Sequence, residues 1–371
     1  MRTIKSKLTA ITLLILLFWC ASCSTSGSSS IPTIVVENAG WFSIDQSGQI
    51  HFFRQTNGNQ SQIEWQLFTM KPGEKPVPAL ADKAFMPGNI VWAPDGQAVY
   101  FFDALSGKQW VINFSADNQI NELPNAIFRC WAPSGGRFLA VSTDPSGQAS
   151  LVVYNASCNQ IGTLDREMET LQKFFQSFEQ NRDTKYFLNY NDVDVHWVED
   201  RLIFIIPVEF RDKSWIGRAI VQLDLLNMKA SLVSQGMWDL ILPSPTGEYL
   251  FSGAGAPFCE KNFNGSWLLS KDGRERQISE YMVKKRAAWS EDGAYLYYFE
   301  PQWEGSLKSA PDERDRTFFQ LKWQLIRFNP TTQHKRTLYT DLPLAGEPLV
   351  HGDMIYFIGE QNSLLALSLP P

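Results

Sequence analysis

Four histidines, five cysteines and 39 carboxylates are the side chains of this 371-residue sequence that could carry acid–base or metal chemistry. Their spacing gives that chemistry little support. No P-loop, HExxH or EF-hand loop occurs, and no G-x-S-x-G marks a hydrolase nucleophile. Beyond Cys20 and Cys23, only Cys130, Cys158 and Cys259 remain, far apart and without metal-ligand spacing. Three is odd, so at least one thiol stays unpaired within the chain. A Cys158–Cys259 bridge is open to it in an oxidising compartment. His51 and His196 fall in expected strands, His351 near a turn and His334 in a polar loop. The carboxylates show no pairing by spacing. We assign no catalytic residue, metal or cofactor; whether the chain is an enzyme is left open, with the non-enzymatic reading preferred.

The N-terminus carries a different chemistry. Met1–Lys7 holds Arg2, Lys5 and Lys7. Leu8–Trp19 is an apolar run of about a dozen residues, short for a membrane span. Small residues follow, in CASCSTSGSSS. A basic start, a short apolar run and a small-residue junction form a secretory signal. Ala21-Ser22-Cys23 resembles the bacterial lipoprotein box, with Cys20 where an aliphatic residue is usual. The resemblance implies a signal peptide over 1–22, a lipidated Cys23, and a flexible tether over 23–31. It implies a protein of the cell envelope, lipid-anchored and facing the periplasm or exterior. The formal charge of −6 and the lack of a basic stretch argue against nucleic acid as a partner.

The elements that would position any site are read from a repeat. Val91–Phe102 reads VWAPDGQAVYFF, Cys130–Val141 CWAPSGGRFLAV, Ala288–Phe299 AWSEDGAYLYYF and Leu242–Ser252 LPSPTGEYLFS. Weaker copies are Ser43–Phe53, His196–Ile206 and Val350–Ile358. Trp92, Trp131 and Trp289 each lie four residues before the turn glycine. After most turns comes a further strand, often opened by Trp, at Trp65, Trp110, Trp267 and Trp323. One unit is therefore strand, tight turn, strand, loop, strand, turn, strand, which describes a propeller blade. The repeated Trp and Phe read as core that wedges one blade against the next.

These copies resemble the TolB-like, WD-repeat-like propeller repeat, a WSPDG turn followed by an aliphatic and aromatic strand. The resemblance covers nearly the whole chain after the tether and implies an all-β, seven-bladed β-propeller of four-stranded antiparallel blades over 32–371. Six blades is the fallback, should the last copy be only a terminal strand pair. Pro32–Glu37 is strand-like and is expected to complete the last blade, which lacks an outer strand. Such repeats occur in binding, scaffold and peptidase-linked propellers alike, so function must be argued from the site.

Four segments interrupt the repeat: 165–191, 207–217, 253–265 and 300–317. In the first, Met168, Leu171, Phe175 and Phe178 recur at helical spacing. All four are expected on one face over blades four to six. They carry Arg211, Trp215, Phe258, Lys261, Trp303, Arg314 and Arg316, residue types suited to an interface. The expected function is a membrane-anchored binding or scaffold module for a protein or glycan partner. The alternative is a lyase or hydrolase with carboxylate or metal chemistry at the central channel, where His196 could face inward.

Overall fold

The computed structural model describes residues 31–371 apart from 57–62, 82, 180–183, 187–192, 211–214, 237, 239, 255–264, 282, 284, 304–320, 344–345 and 360–361. Cys23, Arg211, Phe258, Lys261, Arg314 and Arg316 lie outside the described residues. The described chain forms seven antiparallel sheets in sequence order, the blades of a propeller. Blade one is Ala39–Ile44, Ile50–Thr56, Glu64–Met70 and Val77–Pro78. Blade two is Pro87–Trp92, Ala98–Asp103, Lys108–Asn113 and Gln119–Glu122. Blade three begins at Ala126–Trp131, blade four at Asp194–Val198, blade five at Ile241–Pro243 and blade six at Ala287–Trp289. Blade seven holds Pro348–His351, Met354–Ile358 and Leu364–Ser368. Its fourth strand is Thr33–Val36, antiparallel to Leu364–Ser368 through Thr33↔Ala366 and Val36↔Leu364. The ring is thus closed by the N-terminal strand, as the strand-like segment before the first repeat implies.

Blade strands read as near-continuous apolar runs because both of their faces are covered. Arg137–Thr143 in blade three shows this. Phe138 and Ala140 pack with Tyr100 and Val111 of blade two. Leu139 and Val141, pointing the other way, pack with Leu202 and Phe204 of blade four. Alternation along one strand therefore fills two seams.

The turns between first and second strands repeat one hydrogen bond. Gly96 N–H donates to Ala93 O, Gly135 to Ala132, Gly247 to Ser244 and Gly293 to Ser290, all at 2.8–2.9 Å. In the fourth copy no glycine is available, and Glu199 takes the left-handed conformation at φ +49°. These turns form one face of the ring, here the turn face. Second-to-third loops and blade-to-blade links form the opposite, loop face.

The helix expected from Met168, Leu171 and Phe175 is Asp165–Glu179. These three side chains are buried, packed with Leu151 and Val153 of blade three and Val208 of blade four. One expectation is corrected. Segment 207–217 is largely strand rather than loop: Arg201–Phe210 and Trp215–Asp224 are ten-residue strands paired as far as Phe210↔Trp215. Thr184–Tyr186 adds a further strand to this extension. The near-continuous apolar run LIFIIPV carries the ladder past the usual blade length, so the described parts of the insertion lengthen blade four.

Candidate binding site at the channel mouth

The two cavities of note lie against the first strands of the blades, either side of Glu347 and Pro348. The larger, about 430 Å³, is bordered by Gly40, Trp41 and Phe42 of blade one, Ile90 and Trp92 of blade two, and Leu349 and Ile358 of blade seven. Trp65, Glu347 and Asn362 complete its wall. The smaller, about 230 Å³, is lined mainly by Leu240, Leu242, Phe251 and Ala287, with Lys285 at its edge. Both cavities are lined largely by residues of first strands and of the links that lead into them, with contributions from second and third strands at Phe251, Ile358 and Trp65.

Local sequence explains how the tryptophans reach this wall. Trp65 exchanges two backbone hydrogen bonds of 2.8 Å with Phe85, in the link to blade two, which fixes the start of its strand. Its ring lies so close to Gly40 that a Cβ there would sit 2.7 Å from Trp65 Cζ3. A glycine inside a strand marks such a close approach. Trp41, the next residue, is 38% exposed and meets Trp65 edge-on, with centroids 5.2 Å apart and planes at 63°.

Trp92 departs from its counterparts. Trp131 and Trp289 are buried, and each indole N–H donates to a carbonyl of the preceding blade's first strand, Val91 O at 3.0 Å and Leu242 O at 3.1 Å. Trp92 stands at the same repeat position, yet its indole nitrogen has no hydrogen-bond partner. It is half-buried and lines the cavity. The expectation that all three are buried is corrected for Trp92: it packs against the blade one–blade two core beside Phe53 and Phe114 but remains half-buried, and it also borders the cavity.

Exposed apolar side chains continue from the cavity across the loop face. Ile63 precedes the third strand of blade one, and Met86 lies in the link to blade two. Phe102 and Leu105 border the second-to-third loop of blade two, and Ile127 opens blade three. With Trp41 they place several exposed apolar side chains at the loop-face ends of blades one to three, while Val77, Ile161 and Leu226 are exposed elsewhere.

The face expected over blades four to six is only partly described. Trp215 begins a strand of blade four. Trp303 follows the second strand of blade six, half-buried, its carbonyl accepting from Tyr281 Oη at 3.4 Å. The sequence therefore missed the cavity, whose residues come from blades one, two and seven. Gly40 inside AGWFSI was the available signal.

The titratable groups lie mostly elsewhere. His51 is buried on the turn side, stacked on Phe114 at 4.0 Å, with Asp45 Oδ2 3.6 Å from its Nε2. Burial pushes its pKa down, against the pull of Asp45. Burial alone would raise the Asp45 carboxyl. Hydrogen bonds from Ser47 and Gln49, with the nearby His51, outweigh burial and hold it below the usual range. His196 stands on the innermost strand of blade four, and burial lowers its pKa against the charge of Asp194. Among the described residues no three His, Cys, Asp or Glu side chains converge as a metal site would need. Cys130 and Cys158 are free thiols, and Cys259, the other half of the bridge considered, lies outside the described residues.

Comparison with solved structures bears on this architecture. The β-propeller domain of the Trilobed protease from Pyrococcus furiosus superposes with a TM-score of 0.54 at 10% identity, covering 90% of this chain and 95% of that one. The chain is a β-propeller. That domain is described as having an open velcro topology, whereas here Thr33–Val36 hydrogen-bonds across the closure. An oligogalacturonate lyase from Vibrio parahaemolyticus (TM-score 0.49, 11% identity, 90% and 86% covered) and TolB from Acinetobacter baumannii (0.45, 13%, 82% and 67%) are also similar. No protein-family model and no curated protein matches the chain. Likeness at these identities concerns fold alone.

Proposed function

We propose that this propeller is a lipid-anchored envelope protein that binds a protein or glycan partner at its loop face, through the Trp41–Trp65–Trp92 cavity and the exposed apolar side chains beside it. The observation that carries the reading is the exposure of Trp41 at the rim of a preformed aromatic cavity. Large apolar side chains grouped on a soluble surface mark interaction sites, and Trp is among the commonest anchors of binding energy. The enzyme reading has no comparable observation in its favour.

Strand direction supports a partner at the loop face. Val36 pairs with Leu364, at the loop-face start of its strand, so Thr33 points toward the turn face. The described chain therefore enters the ring from the turn side, leaving the loop face free for a partner. No helix among the described residues is long and apolar enough to cross a membrane.

Two experiments test the parts separately. Metabolic labelling with a palmitate analogue should mark the wild type and not Cys23→Ala; a labelled variant removes the anchor. Envelope extract and a glycan array should be sampled with wild type and with Trp41→Ala. Retention that is indifferent to Trp41 removes the cavity as the binding site.

A further inference from the structure

Resting on that reading, we propose that the larger cavity takes a cationic side chain of a partner protein, an arginine guanidinium or a lysine ammonium, with Glu347 as its counter-charge. Three indoles line the cavity, and among its described lining residues the one charge is the carboxylate of Glu347. The face of an indole is electronegative and attracts a cation more strongly than the other aromatic rings do. An aromatic wall with one carboxylate at its edge thus matches a cation on an aliphatic stem. It repels an anion, and a neutral donor could hydrogen-bond to Glu347 but would gain neither the ion pair nor the attraction of the indole faces.

The rest of the chain shows what is missing here. Arg286 lies 5.0 Å over Trp323, Arg137 5.5 Å over Trp197, and Lys108 5.6 Å over Trp110. Those tryptophans are supplied with a cation by the chain itself. Among the described residues no Lys or Arg covers Trp41, Trp65 or Trp92. Trp41 is partly open to solvent, and among the described residues that line its cavity none is a Lys or Arg.

Glu347 is available to an incoming charge. Its partner is Lys285, 3.4 Å away, and both side chains are well exposed. Exposed pairs of this kind contribute little and exchange readily. Lys285 borders the smaller cavity, on the other side of Glu347 and Pro348. A guest cation entering from the larger side can share or replace it without disturbing the strands. The volume of about 430 Å³ lies within the range of roughly 300–1,000 Å³ usual for ligand sites.

The test uses the purified full chain and three probes followed by saturation-transfer NMR and calorimetry. N-acetylarginine amide carries the cation, N-acetylcitrulline amide is its neutral isostere, and N-acetylglucosamine represents a glycan. The arginine probe should bind about tenfold tighter than the citrulline probe. Glu347→Gln should lose most of that preference, and Trp41→Ala should abolish binding. Glu347 is well exposed and its variant should unfold as wild type does. Trp41, 38% exposed and packed against Trp65 and Phe53, should lose some stability yet keep a single transition, and its binding is read below its own melting temperature. Equal affinity for arginine and citrulline, no loss in Glu347→Gln, or no binding of the arginine probe overturns the proposal. If the sugar alone binds and needs Trp41, the cation is wrong while the cavity stands as a binding site. If no probe binds and partner capture is indifferent to Trp41, both readings fall.

Discussion

The indole nitrogen of Trp131 donates to the carbonyl oxygen of Val91 at 3.0 Å, across the seam between blades three and two. Trp289 repeats the bond to Leu242 between blades six and five. The tryptophan four residues before the turn glycine is thus both a wedge and a tie to the neighbouring sheet. Trp131→Ala should cost about 3–5 kcal/mol, the range for truncating a buried aromatic. Trp92, half-buried and without that bond, should cost less than half as much when cut to Ala. Urea unfolding of the two variants checks the order; equal losses would mean that Trp92 is core after all.

Turn glycines do more than reverse the chain. Gly96 has φ +70°, and a Cβ there would sit 2.6 Å from Ile44 O and 2.7 Å from Asp45 Cα in the turn of blade one. Both obstacles are backbone, so neither can move aside cheaply. Gly107 has nearly the same φ, +69°, and a Cβ there would meet nothing within 4 Å. Gly107→Ala should cost about 1 kcal/mol of backbone strain, and Gly96→Ala on the order of 3 kcal/mol once overpacking is added. The difference between the two midpoints in urea isolates the turn-to-turn contact.

Acid should weaken the blade one–blade two seam through His51. Burial favours its neutral form, so its folded pKa lies below the ordinary 6.5. Above pH 6.5 both folded and unfolded chains carry a neutral imidazole, and the contribution to stability is complete. As pH falls below 6.5 the unfolded chain takes the proton first, and stability declines until the folded pKa is reached. The slope from one such group is at most about 1.4 kcal/mol per pH unit. His51→Phe keeps an aromatic ring against Phe114 and should remove this slope. Asp45 acts in a lower window, because its own pKa is depressed from 3.8. Unfolding free energies of wild type and variant between pH 7 and 5 should diverge; parallel curves would place the acid sensitivity elsewhere, His196 being next.

The architecture was readable because its determinants are local and repeated. A turn glycine, a tryptophan four residues earlier and a following apolar strand recur wherever a blade must reverse and meet its neighbour. Even the fourth copy, which lacks the glycine, makes its turn through Glu199. The binding cavity was not readable for the opposite reason. Trp41, Trp65 and Trp92 meet through the neighbouring blades one and two, and Glu347 joins them only when blade seven closes against blade one. Trp92 was moreover hidden by its own repeat, since the residue that marks core in two blades lines a cavity in a third. Length of insertion pointed instead to blades four to six. There, segment 207–217 continues a ladder that the apolar run leading into it could have announced.

Closure itself gives the last prediction. Thr33–Val36 covers the outer edge of Leu364–Ser368, and Val36 is buried beside Leu364. Removing 32–37 would leave that strand with a row of unpaired backbone groups, and an open edge is a template for association. The shortened chain should lose cooperative unfolding or precipitate. Loss of apolar contact alone would not do this, and a second variant separates the causes. Ile34 is 57% exposed in the middle of the strand. Ile34→Lys leaves the backbone ladder intact and adds a charge where none is buried, so it should unfold as wild type does. Val36→Ala removes only buried methyl groups and should cost about 1–2 kcal/mol while keeping a single transition. Differential scanning calorimetry on the three variants reads the result. A truncated chain that melts in one sharp transition at the wild-type temperature would show that the ring holds without its N-terminal strand.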